Sequence, residues 1–515
     1  MRSPAVVTGI GVMAPNGTGG DEFWKATLEG HSGLRTIAGF DPSRYPVRLA
    51  GQIPDFEAEQ HVPSRLLPQT DRVTRLALVA ADMALTDAGV DSGELPEYGM
   101  GVVTSNATGG FEFTHTEINK LWTKGSRFVS VYESFAWFYA VNTGQISIRH
   151  GMRGPSAVLV AEQAGGLDAV GHARRTIRRG TALSVTGGVE SSFDPWGWVS
   201  HIASGRLSRH EDPRQAYRPF DSQASGYVPG EGGAILVLED PEEARRRAAP
   251  HVYGEIAGYA ATFDPRPGSG RPPGLRRAAE LALDDARMRP DEIEVVFADA
   301  AGVPELDGAE AEAIAGLFGP YAVPVTAPKT LTGRLYSGGG PVDIASALYA
   351  IRDEVIPPTF HVTDVPPDYQ IDLVRDTPRN RPVRSALVLA RGKGGFNSAV
   401  VVRAKGLNRP KRRSAGAPPA SRLLYDVWRT WPPRAEPESA GVGMAVAFRR
   451  SRTVLAPTNA MVLRRSSTMS SSTDRTPCGP CTARPHNTGR PTSTASAPQT
   501  SATAAWVPLR TPESK

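Results

Sequence analysis

Cysteine is nearly absent from this 515-residue sequence: Cys478 and Cys481 are the only two, and the first 400 residues hold none. A disulfide framework and a thiol nucleophile are therefore both excluded from the body of the chain. Long apolar runs are lacking too. No uncharged apolar stretch reaches the roughly 18 residues of a membrane span, so no membrane association is expected. The opening residues MRSPAVVTGIGVMAPNG carry no basic region followed by an apolar run and a cleavage site, so the expected location is cytoplasmic. Also missing are a phosphate loop ending in GKS or GKT, an HExxH helix and a GxSxG serine elbow. Cys478, Cys481 and His486 supply fewer than the four ligands of a closed zinc site, so no metal is expected.

Charge is present but unevenly placed. The formal net charge is +5, yet residues 404–515 hold 18 Lys and Arg against 5 Asp and Glu. The preceding 403 residues carry 40 basic and 48 acidic groups, so the body is acidic and the tail basic. A basic pI argues for nucleic-acid binding only where the charge lies on a folded face, and none is expected here. Pro, Ser, Thr, Ala and Arg dominate the tail without periodicity, which fits a disordered segment or an out-of-frame extension.

In the body, buried-strand runs alternate with amphipathic stretches. AVVTGIGVMA, YGMGVVTSN, the strand at 157–161, ALSVTGGVES and GGAILVLED read as strands, and RVTRLALVAADMALTDAGV as a helix. After Pro241 the alternation recurs, through VYGEIAGYAATFD and GLRRAAELALDDARM to SALVLARGKGGFNSAVVVRA. The reading is an α/β chain in two similar halves, 1–245 and 246–403, followed by the 404–515 tail. Gly9, Gly11 and Ala14 fit the dinucleotide pattern GxGxxA, but Pro15 would fall in the first turns of the helix that pattern requires. No cofactor is expected.

VVTGIGVMAPNG, RPFDSQASGYVPGEGGAILVLE, APKTLTGRLYSGGG and GKGGFNSAVVV together resemble a β-ketoacyl synthase of the thiolase fold, over about residues 3–403. The resemblance implies a layered α-β-α-β-α architecture. It also implies four catalytic positions: an elbow cysteine that carries the acyl chain, two histidines and a lysine. Here the elbow position is Gln163, within AEQAGGLDA; the first histidine position is Ala301, in DAAGV; the lysine remains as Lys329; and Arg334 follows Gly333 where Gly-His is expected. An amide cannot hold a thioester, alanine donates no proton and arginine stays protonated, so condensation by this chain alone is not available.

AEQAGGLDA resembles in particular the β subunit, or chain-length factor, of type II aromatic polyketide synthases. That implies pairing with a Cys-containing ketosynthase α subunit and an acyl carrier protein, and a tunnel at the subunit interface that limits the growing chain. Phe111, Thr114 and Ile118 stand at i, i+3 and i+7 of a helical stretch running from Phe111 to Trp122, and the resemblance makes them tunnel candidates. The alternative is an amphipathic face packed on its own core. The aromatic run SFAWFYAVNTGQIS is expected nearby.

Gln163 itself has two readings. Its amide could donate to a malonyl thioester carbonyl and favour decarboxylation, or it could fill the elbow and satisfy buried backbone groups. Three hypotheses follow: a non-condensing heterodimer subunit, a Gln163-dependent malonyl decarboxylase that primes synthesis, and a nicotinamide-dependent reductase resting on GxGxxA.

Overall fold

A computed structural model of the chain describes residues 4–266 and 268–406. Cys478, Cys481, His486 and all but the first few residues of the basic tail lie outside the described residues. Ten strands organise the body: β1 Ala5–Ala14, β2 Met100–Ser105, β3 Ser156–Leu159, β4 Leu183–Glu190 and β5 Gly232–Glu239, then β6 Gly254–Phe263, β7 Val295–Phe297, β8 Pro324–Thr326, β9 Ser385–Gly392 and β10 Phe396–Arg403.

These strands form most of a 12-stranded mixed sheet. The first five run in the order β1-β5-β4-β2-β3 and the second five in the order β6-β10-β9-β7-β8. Each set has the same polarity: two antiparallel pairings, then two parallel ones. The sets join where Ala5 of β1 pairs antiparallel with Ile256 of β6.

Strand alternation builds the layers. Leu236 and Leu238 of β5 face a central core shared with α3 (Gly165–Ile177) and α6 (Gly339–Asp353), while Ile235 and Val237 face α1 (Arg72–Asp87). In the second set Val400 and Val402 face the same central helices, and Ala399 and Val401 face α5 (Leu275–Ala286). Two sheet regions thus enclose a middle helical layer and are covered on their outer sides by helices. Asp71 starts α1 by accepting from Val73 N at 2.9 Å, an ordinary N-cap.

The GxGxxA pattern lies wholly inside β1 and opens no helix. Its glycines serve packing: a β-carbon on Gly9 would sit 2.1 Å from the Ala84 carbonyl of α1, and one on Gly11 would sit 2.0 Å from that of Ala80. Gly258 of β6 meets α5 in the same way, at 2.1 Å from the Ala282 carbonyl. No described helix is long and apolar enough to cross a membrane.

Candidate functional site

The chain leaves β3 two residues earlier than the strand reading expects, at Leu159, and Ala161 already turns (φ −148°, ψ 34°). Glu162 adopts φ +50°, a left-handed conformation that L-residues adopt at a cost, and a single 3-10 turn delivers Gln163 to the mouth of α3. Glu162 holds the turn, its carboxylate accepting from Gln163 N at 3.0 Å and from Lys393 N at 2.9 Å, which ties the elbow to the glycine-rich closing loop. Small residues make the room. A β-carbon on Gly166 would meet the Ser337 carbonyl at 2.1 Å, and one on Gly339 would meet Gln163 Nε2 at 2.5 Å.

Gln163 is fully buried against the first residue of α6, and neither its Oε1 nor its Nε2 has a hydrogen-bond partner. The amide does not satisfy buried backbone groups, as one of its two readings requires. A polar group buried in this way costs about 1–3 kcal/mol.

Ala301 lies buried in the turn after β7, where Ala300 (φ +50°) and Gly302 (φ +69°) reverse the chain and Tyr217 donates to the Ala300 carbonyl at 2.7 Å. Lys329 is locked: its Nζ pairs with Asp343 at 2.6 Å and donates to the Ala298 and Asp299 carbonyls at 2.7 and 3.3 Å. Arg334 grips both carboxylate oxygens of Asp299 at 3.0 and 3.1 Å and donates to the Arg391 carbonyl at 2.8 Å. Arg391 in turn reaches Asp299 at 3.4 Å and Glu310 at 3.3 Å. Asp343 stands four residues after Gly339, one turn along the same helix, so α6 joins the elbow to this ion network.

Burial dominates the electrostatics. It pushes the Asp343 carboxyl up to about 6 although Lys329 opposes it, and it raises Glu310 although Arg391 opposes it. For Asp299 burial is outweighed by Arg334, Arg391 and Lys329, which hold it below the ordinary carboxylate value. None of Gln163, Ala301, Lys329 and Arg334 is a nucleophile paired with a base. The site's cations are committed to carboxylates and carbonyls, and neither guanidinium can yield a proton.

The tunnel candidates lie on α2 (Phe111–Lys124), two residues longer than the sequence stretch suggests. Phe111 is half-buried with its ring 4.7 Å from that of Trp196 on α4 (Pro195–Ile202). Thr114 is half-buried, with its hydroxyl beside the Glu133 carboxylate. Ile118 is 38% exposed, beside Leu121 at 38% and Trp122 at 81%. The only fully buried residue of α2 is Glu117, which pairs with Lys120 and accepts from Ser130 N, both at 2.6 Å. The face is thus covered at Phe111 and open at Ile118. Helix α2 is tethered at its start, where Phe113 N donates to Asp71 at 2.8 Å, and by the 2.7 Å pair of His115 with Asp194, the N-cap of α4.

In the aromatic run, exposed Trp137 lies with Phe138, Tyr139 and Ala140 in the turn between a short helix, Glu133–Ala136, and another, Val141–Arg149. Sequence reading missed Glu162, Asp299, Asp343, Arg391 and Trp196. Lys329 and Arg334 themselves are the signal that could have pointed to the acidic ones, since a buried cation needs a counter-charge. Among the described residues no group of three or more His, Cys, Asp or Glu could hold a metal.

The chain matches the β-ketoacyl synthase N-terminal domain over residues 2–244 and the β-ketoacyl synthase C-terminal domain over residues 253–363, and it belongs to that family. It is 66% identical over 398 residues to the actinorhodin polyketide β-ketoacyl synthase 2 of Streptomyces coelicolor, covering 77% of this chain and 98% of that one. It is 60% identical over 405 residues to the tetracenomycin polyketide synthase ketoacyl synthase beta subunit of Streptomyces glaucescens, covering 78% of this chain and 99% of that one. Among solved structures it resembles the ishigamide ketosynthase/chain length factor, with a TM-score of 0.72 and 26% identity over 79% of this chain and 100% of that one.

Proposed function

We propose that this chain is the non-condensing β subunit, the chain-length factor, of a type II polyketide synthase. The observation that supports the reading is the elbow: the turn into α3 carries a buried glutamine and no thiol, in a chain 60% identical to a polyketide ketoacyl synthase beta subunit. The catalytic partner is a Cys-containing ketosynthase α subunit. An acyl carrier protein delivers malonyl units, and the pair works in the cytoplasm. Residues 1–245 and 246–403 form the two halves of one ketosynthase-like body, a division that the repeated strand order supports. Phe111, Thr114 and Ile118 line the path of the growing chain, and the exposed apolar surface of α2 is where the partner completes that path.

The test is co-expression with an α subunit, a carrier protein and a malonyl supply, with product mass read for wild type and Ile118→Ala. A product longer by one or more two-carbon units is the expected result. Unchanged length with normal yield removes Ile118 from the path, and absence of product with every α subunit tried removes the partnership.

A second reading rests on the unpaired Gln163 amide, whose Nε2 is free to donate to a thioester carbonyl and favour loss of carbon dioxide. In that case Gln163→Ala lowers formation of acetyl carrier protein from malonyl carrier protein by about 10²-fold or more, the loss seen when one oxyanion donor is removed. Chain length of any residual product stays the same.

A further inference from the structure

The far end of α3 carries chemistry that the elbow does not use. Arg174 and Arg175 lie in its last turn and Arg178 and Arg179 follow directly, so 174 and 178, and 175 and 179, are like-charged i, i+4 pairs. One or two cations would suffice to complement the helix C-terminus. Four in six residues repel one another. With α3 rising about 1.5 Å per residue over 13 residues, the cluster stands about 20 Å from the elbow.

Asp285 is the only carboxylate that reaches these arginines among the described residues, and it is already engaged. Buried Arg174 pairs with it at 2.5 Å and donates to the Ile256 carbonyl at 2.7 Å, and Tyr259 N donates to the same carboxylate at 3.1 Å. Arg178 reaches its other oxygen at 3.5 Å, and the Nε of Arg178 is buried with no hydrogen-bond partner. Arg175 and Arg179 are exposed and pair with no carboxylate among the described residues.

A 370 Å³ cavity opens between the four arginines, Tyr259 and Asp285. That volume falls in the range of about 300–1,000 Å³ typical of small-ligand sites. One wall is the Tyr259 ring, which lies flat on Gly171, where a β-carbon would come within 2.4 Å of it. Glu255 adds only a longer-range attraction on Arg174, so four guanidiniums against the Asp285 carboxylate leave an excess of positive charge at one cavity.

We propose that this cavity binds a diphosphate group, either free or esterified to a small molecule, through the guanidiniums of Arg175, Arg178 and Arg179. Planar guanidinium forks match phosphate oxygens in pairs, which ammonium groups do not. A diphosphate supplies the missing negative charge and gives the buried Arg178 Nε an acceptor.

The test is calorimetric titration of the full chain, in the complex it purifies with, using inorganic diphosphate, ADP and sulfate at matched ionic strength. Wild type is expected to bind diphosphate or ADP, with sulfate a weak competitor. Arg175→Gln/Arg179→Gln, which alters two exposed and unpaired side chains, is expected to weaken binding about tenfold or more through lost charge-assisted contacts. Tighter binding of ADP marks an esterified ligand, and equal binding marks free diphosphate; both support the site. No binding, binding unchanged in the double variant, or equal displacement by sulfate overturns it. Phenylglyoxal labelling of the wild type gives a reading that needs no variant. Diphosphate should slow modification of Arg178 and leave the exposed Arg245 and Arg246 unchanged, and equal labelling with and without diphosphate overturns the proposal.

Discussion

At the residue scale, the chemistry is decided by what four side chains can and cannot do. Of Gln163, Ala301, Lys329 and Arg334, the candidates for the catalytic positions, three cannot transfer protons or acyl groups, and the lysine is held by Asp343. Burial without titration recurs at His201, whose ring nitrogens meet Ser192 Oγ and Tyr336 Oη, both at 2.8 Å. Burial holds this imidazole down at about 4, below its value of 6.5 in the unfolded chain. As pH falls, the unfolded state therefore takes the proton first. The stability contributed is complete above pH 6.5 and is lost as pH falls toward 4, by a few kcal/mol at most at about 1.4 kcal/mol per unit. Urea unfolding of wild type and His201→Gln across this range checks it: the variant should show the shallower acid loss, because its amide replaces the hydrogen bonds without titrating.

At the element scale, the two halves solve the same packing problem with the same residue. Gly9 and Gly258 each admit a covering helix so closely that a β-carbon would lie 2.1 Å from a backbone carbonyl. Backbone cannot yield as a flexible side chain can. Gly9→Ala and Gly258→Ala should each cost about 1–3 kcal/mol, read as a lower denaturation midpoint at unchanged slope. A near-neutral effect at one site alone would show that the halves pack by different means. Helix α2 differs from α1 and α5. It is held by polar tethers at Asp71, Asp194 and Glu117, and it leaves Ile118, Leu121 and Trp122 exposed.

At the scale of the whole molecule, charge and surface separate the body from the tail. Residues 1–406 carry 41 Lys and Arg against 48 Asp and Glu, whereas the full chain is net positive with a pI of about 9.2. The last strand among the described residues, β10, ends at Arg403 inside the sheet. A chain ending at Gly406 should therefore keep its melting temperature within about 2 °C, the shift expected from less than 1 kcal/mol. It should bind an anion exchanger at neutral pH, where the full chain binds a cation exchanger. A fall of more than about 5 °C would show that the tail contributes to the fold.

The sequence by itself determined the alternation of strands and helices and the chemical limits of the side chains at 163, 301 and 334, because side-chain period and chemical identity are local properties. It also exposed the GxGxxA pattern as a poor helix opener, since Pro15 stands next to it. Tertiary structure alone decided the partners. Asp299 meets Arg334 across 35 residues of chain, and Glu162 meets Lys393 across 231. Which carboxylate neutralises which cation depends on how two distant segments cross. The same holds for the unpaired amide of Gln163 and the outward face of Ile118: helical spacing defines a face, and only the packing of the other elements decides whether anything covers it.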